Sequence, residues 1–299
     1  MPYLVLGAAQ LAVGAAAIFA RFALGGAQPL GVAATRLVIA AAILLGYAAL
    51  VSRREATQHE RPTPRARWLL AGAGVALAIH FATWIGSLDY TTVAVSTLLV
   101  TSTPIWTALY DALVLHRPLS RLATMAFFVG GIGLLMVVGL DATAPPFPGH
   151  ELLGAGLALT GSLAIGTYLI LVREVRDVLS TRTIVTQTYS WAALVLVLAA
   201  LIARQGPPPL DATAAWAGIL AMALISQLLG HTALNAGLHW FSPSAISFAT
   251  LLEPVIAGGL ALAIFGEAIP PLALLGGVLL LAAVGVVVSQ ERRLIDNEL

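Results

Sequence analysis

Apolar runs of about 20 residues recur along this chain, each long enough to cross a hydrocarbon core of roughly 30 Å. They cover Tyr3 to Leu24, Leu30 to Val51, Trp68 to Leu88, Thr92 to Leu115, Leu119 to Leu140, Leu152 to Val172, Thr183 to Ala203, Ala214 to Leu238, Ser244 to Phe265 and Pro271 to Ser289. Short breaks separate them, such as GGAQP from Gly25, HRP from His116, ATAPPFPGH from Ala142 and RQGPPPLD from Arg204. These breaks are turn chemistry, with no room for a soluble domain. The pattern predicts an all-α polytopic membrane protein of ten transmembrane helices.

Composition agrees: 59% of the 299 residues are hydrophobic, 10% are charged and the mean hydropathy is +0.94, against roughly 25% charged residues in an average soluble domain. A net charge of +1 gives no basic field for nucleic acid,. The absence of cysteine removes disulfides and thiolate chemistry,. All 15 basic residues are arginine, so topology is read from arginine alone. With a cytoplasmic amino terminus, the inner segments hold Arg53, Arg54, Arg61, Arg65, Arg67, Arg117, Arg121, Arg173, Arg176, Arg182, Arg292 and Arg293, and the outer ones hold Arg21 and Arg204. The excess predicts that both termini are cytoplasmic, and the loop from His239 to Pro243 is the one inner segment without arginine,. Arg36 is left inside a helix, near enough to its end to snorkel,. The apolar stretch after Met1 reads as a retained first helix, since it has no basic leader and no persuasive cleavage site,.

The proline-rich loop near the middle divides the chain into matching halves. Gly7, Ala8, Gly14, Ala17 and Ile18 align with Gly154, Ala155, Gly161, Ala164 and Ile165; Trp68 and Trp216 each open a third helix, and Pro104 and Pro254 each lie inside a fourth. Five helices per half is an odd number, so the halves would run in opposite orientations, as in the inverted repeats of secondary transporters. The expected units are 1–141 and 152–290, joined by an external loop at 142–151 and followed by a cytoplasmic tail at 291–299.

Polar residues then mark candidate faces. His80, Thr83, Trp84 and Ser87 fall on one face of the third helix, and Gln227, His231, Asn235 and His239 on one face of the eighth,. Such stripes suit a wet cavity between the halves, or else interhelical hydrogen bonds worth about 0.6 to 2 kcal/mol. Ser96, Thr103, Trp106 and Tyr110 add a face of the fourth helix, Gln10, Thr160 and Tyr168 come from the first and sixth, and Gln187 and Trp191 from the seventh. Trp84, Trp106 and Trp191 lie deep enough to form an aromatic wall able to hold an ammonium group, or to pack as core. Trp68, Trp216 and Trp240 sit at helix ends as interfacial anchors,. Glu253 is the deep carboxylate, set directly before Pro254; with Pro104 these residues read as gating or packing elements, Glu253 capping loosened backbone or bonding a neighbouring helix, with binding of substrate as the alternative,.

The two five-helix halves, with LLEPVIAGGLALAIFGE close to the end of the second, resemble the EamA family of the drug/metabolite transporter superfamily, and the whole chain is most similar to YddG-type exporters of aromatic and other amino acids. That resemblance implies two inverted five-helix repeats around a central cavity that opens alternately to the two sides of a bacterial inner membrane. The first half departs from the pattern, with Thr103 in place of Glu253 and Arg117 in place of Glu267. The residues themselves narrow the substrate. A phosphorylated solute needs fixed cations at its site, whereas these stripes are amides, hydroxyls, imidazoles and indoles. They suit a zwitterion, and the resemblance implies amino acids. The expected activity is facilitative export, with proton-coupled export of amino acids or small amphiphilic metabolites and drugs as the alternative through His80, His231 and Glu253,. A polytopic enzyme would need a signature such as HExxH or GxSxG, and neither occurs,. No catalytic residue, metal or cofactor is called for; the expected partners are a small-molecule amino acid and the lipid bilayer, with no nucleic acid.

Overall fold

Prolines and hydroxyl side chains decide where the helices begin and break. In the computed structural model, which describes residues 2–54, 62–114, 116, 121–138, 150–237, 250 and 252–298, the first span is two helices, α1 (Pro2–Gly14) and α2 (Ala16–Leu24), broken at Ala15. There follow α3 (Pro29–Arg54) and α4 (Pro64–Ser87). Thr63 caps α4 by accepting from the Ala66 amide at 3.2 Å, with Pro64 supplying a preset first turn,. Thr92 does the same for α5 (Val93–Val100), accepting from Val95 at 3.3 Å.

The sequence predicts a single fourth helix from Thr92 to Leu115. The structure divides it at Thr101 and Ser102 into α5 and α6 (Thr103–Leu113). The cause is Pro104, which lacks the amide that would reach the Val100 carbonyl one turn back. The Thr103 hydroxyl donates to that carbonyl instead, at 3.0 Å. The remainder is α7 (Arg121–Val138), α8 (Glu151–Arg173), α9 (Thr181–Ile202), α10 (Thr213–Ala221), a π-helix (Met222–His231), α11 (Thr232–Gly237), α12 (Glu253–Phe265) and α13 (Pro271–Glu298). The eighth span, expected as one α-helix, is therefore widened in its middle. The tenth runs past its expected end at Ser289. The loop at 142–149, the segment 238–249 with His239 and Trp240, and Arg61 and Arg117 lie outside the described residues.

Among the described residues there is no strand, and six helices are long and apolar enough to cross a membrane: Leu4–Leu24, Pro29–Leu50, Pro64–Ser87, Leu152–Arg173, Thr181–Ile202 and Thr213–Ala236. Four shorter apolar helices accompany them. The chain is a multi-pass membrane protein. α4 packs along α8 and α9, α2 along α10, α1 along the π-helix, α3 along α9, and α7 along α13. α5 lies against both α8 and α12. The buried core between them is largely alanine, leucine, isoleucine and valine. Large apolar side chains such as Leu45, Phe128 and Leu198 are left exposed on the periphery, as a bundle wrapped in lipid requires.

Candidate functional site

A cavity of about 320 Å³ opens inside the bundle. α1 and α2 contribute Val13, Gly14, Ala16 and Ala17; α4 contributes His80, Phe81 and Trp84; α5 and α6 contribute Thr97, Val100, Thr101, Thr103, Pro104 and Thr107. α8 supplies Ile165, Tyr168, Leu169 and, at its end, Arg173, with Arg176 in the turn that follows, while the later helices of the second half add His231, Leu234, Asn235, Thr250 and Glu253. Both halves of the sequence thus build one space. Its lining runs out to Arg173, which is exposed, at the carboxyl end of α8.

Most polar groups on this wall are already engaged. The hydroxyls of Thr97, Thr101 and Thr107 donate to the carbonyls of Val93, Thr97 and Pro104 at 2.7, 2.9 and 3.1 Å. The Asn235 amide donates to the His231 carbonyl at 2.9 Å. His80 donates from Nδ1 to the Gly161 carbonyl at 2.9 Å. That bond needs α8 to lie close on α4, and Gly161 allows it: a Cβ there would stand 3.2 Å from Thr83 Oγ1,. The His80 ring stacks parallel to Trp84 at 6.1 Å, and Phe81 meets His231 edge-on at 6.2 Å. The buried Trp84 Nε1 has nothing to bond among the described residues, and the Glu253 carboxylate on the same wall makes no hydrogen bond or ion pair among them.

Behind the wall is a feature the sequence reading missed. Arg36 does not snorkel; it is fully buried. Its guanidinium lies 4.2 Å from the centroid of the Phe81 ring and donates from Nη2 to Gln227 Oε1 at 2.5 Å and from Nη1 to Met222 Sδ at 3.7 Å. A cation over an aromatic face is a favourable placement when desolvated. The signal was a lone charge in an apolar helix, whose inward direction the helix alone does not reveal.

The structure gathers His80, Trp84, Thr103, Pro104, Tyr168, His231, Asn235 and Glu253 around the cavity. The other candidates lie off its lining. Gln227 is taken by Arg36. Ser87 bonds Ser96 at 2.7 Å, and Trp106 Nε1 donates to Ser162 Oγ at 3.1 Å, so both serve as interhelical ties. Thr83 and Thr160 turn back to carbonyls of their own helices, Ile79 at 2.8 Å and Gly156 at 2.8 Å. Gln187 and Trp191 are exposed on α9, Tyr110 sits further along α6, and Gln10 is buried on α1. The aromatic wall is therefore Trp84 with Phe81 and Tyr168, and Phe81, being apolar, belongs to no polar stripe of the sequence. Glu253 neither caps its helix nor bonds a neighbour among the described residues.

At the other end of the bundle the chain is fastened. Arg21, at the end of α2, donates from Nε and Nη2 to Glu267 Oε1 at 3.1 and 2.8 Å. It also donates to the carbonyls of Leu88 and Thr91 in the turn between α4 and α5. The second oxygen of Glu267 accepts from the Val93 amide at 2.9 Å. Gly266 makes this possible by ending α12 in the left-handed region at φ 68°, which turns Glu267 back toward α5,. Both side chains of the ion pair are mostly buried.

A solved structure titled "Crystal structure of protein" shares this fold, with a TM-score of 0.64 and 16% identity over 98% of each chain. No curated protein matches the sequence. The EamA-like transporter family matches residues 1–139 and again 152–289. With both segments of the bundle matched over nearly its whole length, the chain belongs to the EamA-like transporter family.

Proposed function

We propose that this protein exports zwitterionic amino acids, aromatic and others, across a bacterial inner membrane by alternating access, as a facilitative uniporter. The observation that carries the reading is one cavity, built by both halves, that reaches one end of the bundle while Arg21 and Glu267 fasten the other. A transporter needs that asymmetry, because access to the site must be limited to one side at a time.

Packing supports ten spans in two inverted repeats, over 1–141 and 152–290. Replacing each span by its counterpart in the other half turns the seam of α4 with α8 into that of α10 and the π-helix with α1 and α2. It turns α5 with α8 into α12 with α1, and returns α3 with α9, α5 with α12 and α7 with α13 to themselves. The arginine distribution supports cytoplasmic termini, which makes the fastened end external and the described state open to the cytoplasm,.

Counterflow in liposomes with labelled phenylalanine, tryptophan, threonine and a sugar nucleotide tests the substrate class: the amino acids exchange and the sugar nucleotide does not. Exchange of none of the amino acids would overturn it. The Glu253 carboxylate, on a cavity wall that also holds His80 and His231, favours proton coupling as the second reading,. Accumulation driven by an imposed pH gradient would select it over uniport.

A further inference from the structure

We infer that Glu253 holds the ammonium group of the substrate and that Arg36, one ring behind the cavity wall, decides which way round a zwitterion lies. The inference rests on the amino-acid reading above and adds to it a polarity and an anchor.

A carboxylate at membrane depth is costly and is retained where something answers its charge. Glu253 lies on the cavity wall and makes no hydrogen bond or ion pair among the described residues. Among the described residues it is also the single carboxylate on that wall, the other charged side chains there being Arg173 and Arg176 at the mouth. The cations that line the cavity are thus at the rim, and the partner that fits the deep position is a cation arriving with the ligand. Glu253 also makes the site hostile to a phosphate, which would meet its charge directly.

Arg36 supplies the opposite pole. It is fully buried, pairs with no carboxylate among the described residues, and stands over the ring of Phe81, a residue of the wall, without lining the cavity itself. Its charge is weakly screened in such surroundings. The positive end of the field lies behind α4 and the negative end on α12, two helices that supply separate walls. A zwitterion enters with its ammonium toward Glu253 and its carboxylate toward Phe81, His80 and His231. There the unpartnered Trp84 Nε1 is a donor within the same wall. The side chain is left to Val100, Ile165 and Leu234. Arg36 is a positioning residue in this scheme, since it acts through Phe81 and does not line the cavity.

The test is competition for phenylalanine counterflow by three probes on purified full-length protein in liposomes: phenylalanine with both charges, phenethylamine with only the ammonium, and N-acetylphenylalanine with only the carboxylate. Glu253→Gln is expected to weaken phenylalanine and phenethylamine by about tenfold or more and to leave N-acetylphenylalanine unchanged, while Glu253→Asp keeps the wild-type ranking. Arg36→Gln is expected to abolish the advantage of phenylalanine over phenethylamine, and Arg36→Lys to preserve it; a packing role alone would weaken all probes together. Should Arg36→Gln fail to fold, the Glu253 pair and Arg36→Lys still decide. Equal effects of Glu253→Gln on all three probes would overturn the anchor. A wild-type protein that responds to none of the three overturns the substrate reading itself, a result distinct from the loss of the anchor.

Discussion

The two ends of the bundle are built from opposite uses of the same residue. At the fastened end Arg21 is enclosed by a carboxylate and two carbonyls, and its charge is answered within the protein. At the other end Arg173 and Arg176 rim the cavity, where Arg176 approaches the neighbouring Asp177 at 3.7 Å, a carboxylate that is itself exposed. Ion pairs that are mostly shielded from water resist screening, while those at a wet rim contribute little. Arg21 is therefore a fastener where the helix ends converge, and Arg176 a rim charge where they spread.

That contrast breaks most sharply at Arg21. The chain has no cysteine, so a single cysteine placed at Ala17, which lines the cavity one turn before Arg21, reports which end is open. Arg21→Ala is expected to raise labelling by a membrane-impermeant maleimide from the fastened side by about tenfold, equivalent to ~1.4 kcal/mol of lost preference for the closed end. No change in labelling would mean that helix packing, and not the ion pair, closes this end. Glu267→Gln should have a smaller effect, about threefold, because the amide oxygen can still accept from the Val93 amide while the charge on Arg21 goes unanswered,. An effect equal to that of Arg21→Ala would show that the charge alone matters. Arg173→Gln and Arg176→Gln, at the rim, are expected to change the counterflow KM by less than about twofold, within the reach of screened surface charge. A larger loss would place the mouth among the determinants of binding.

How much of this was open to sequence reading depends on the physical range of each signal. The helices were legible because every span must satisfy its backbone internally, which leaves an unbroken apolar run. Their interruptions were legible only where proline marks them: Pro104 announced a kink and the structure shows a break, but no residue type announces the π-helix at Met222–His231. On α4 the stripe reading placed His80 and Trp84 on the cavity wall, yet Ser87 from the same stripe bonds Ser96 instead. Helical spacing gives a shared direction; which neighbour fills that direction is set by other helices far along the chain. Arg36 and Gln227 are separated by 191 positions, and the Arg21–Glu267 pair by 246, so neither contact leaves a local trace.

The π-helix has a consequence for how the second half can vary. Its ladder holds more residues per turn than an α-helix needs, so it carries a surplus that can be shed without tearing the span. Tightening the segment into α geometry advances everything after it by one position, about 100° around the helix axis. His231 and Asn235, at the end of the segment and one turn beyond it, are cavity residues. Tightening the ladder at constant length thus deals the cavity a different set of side chains from an unaltered remainder of the chain, whereas deleting one residue between Met222 and Gly230 removes the surplus and leaves His231 and Asn235 facing as they do,.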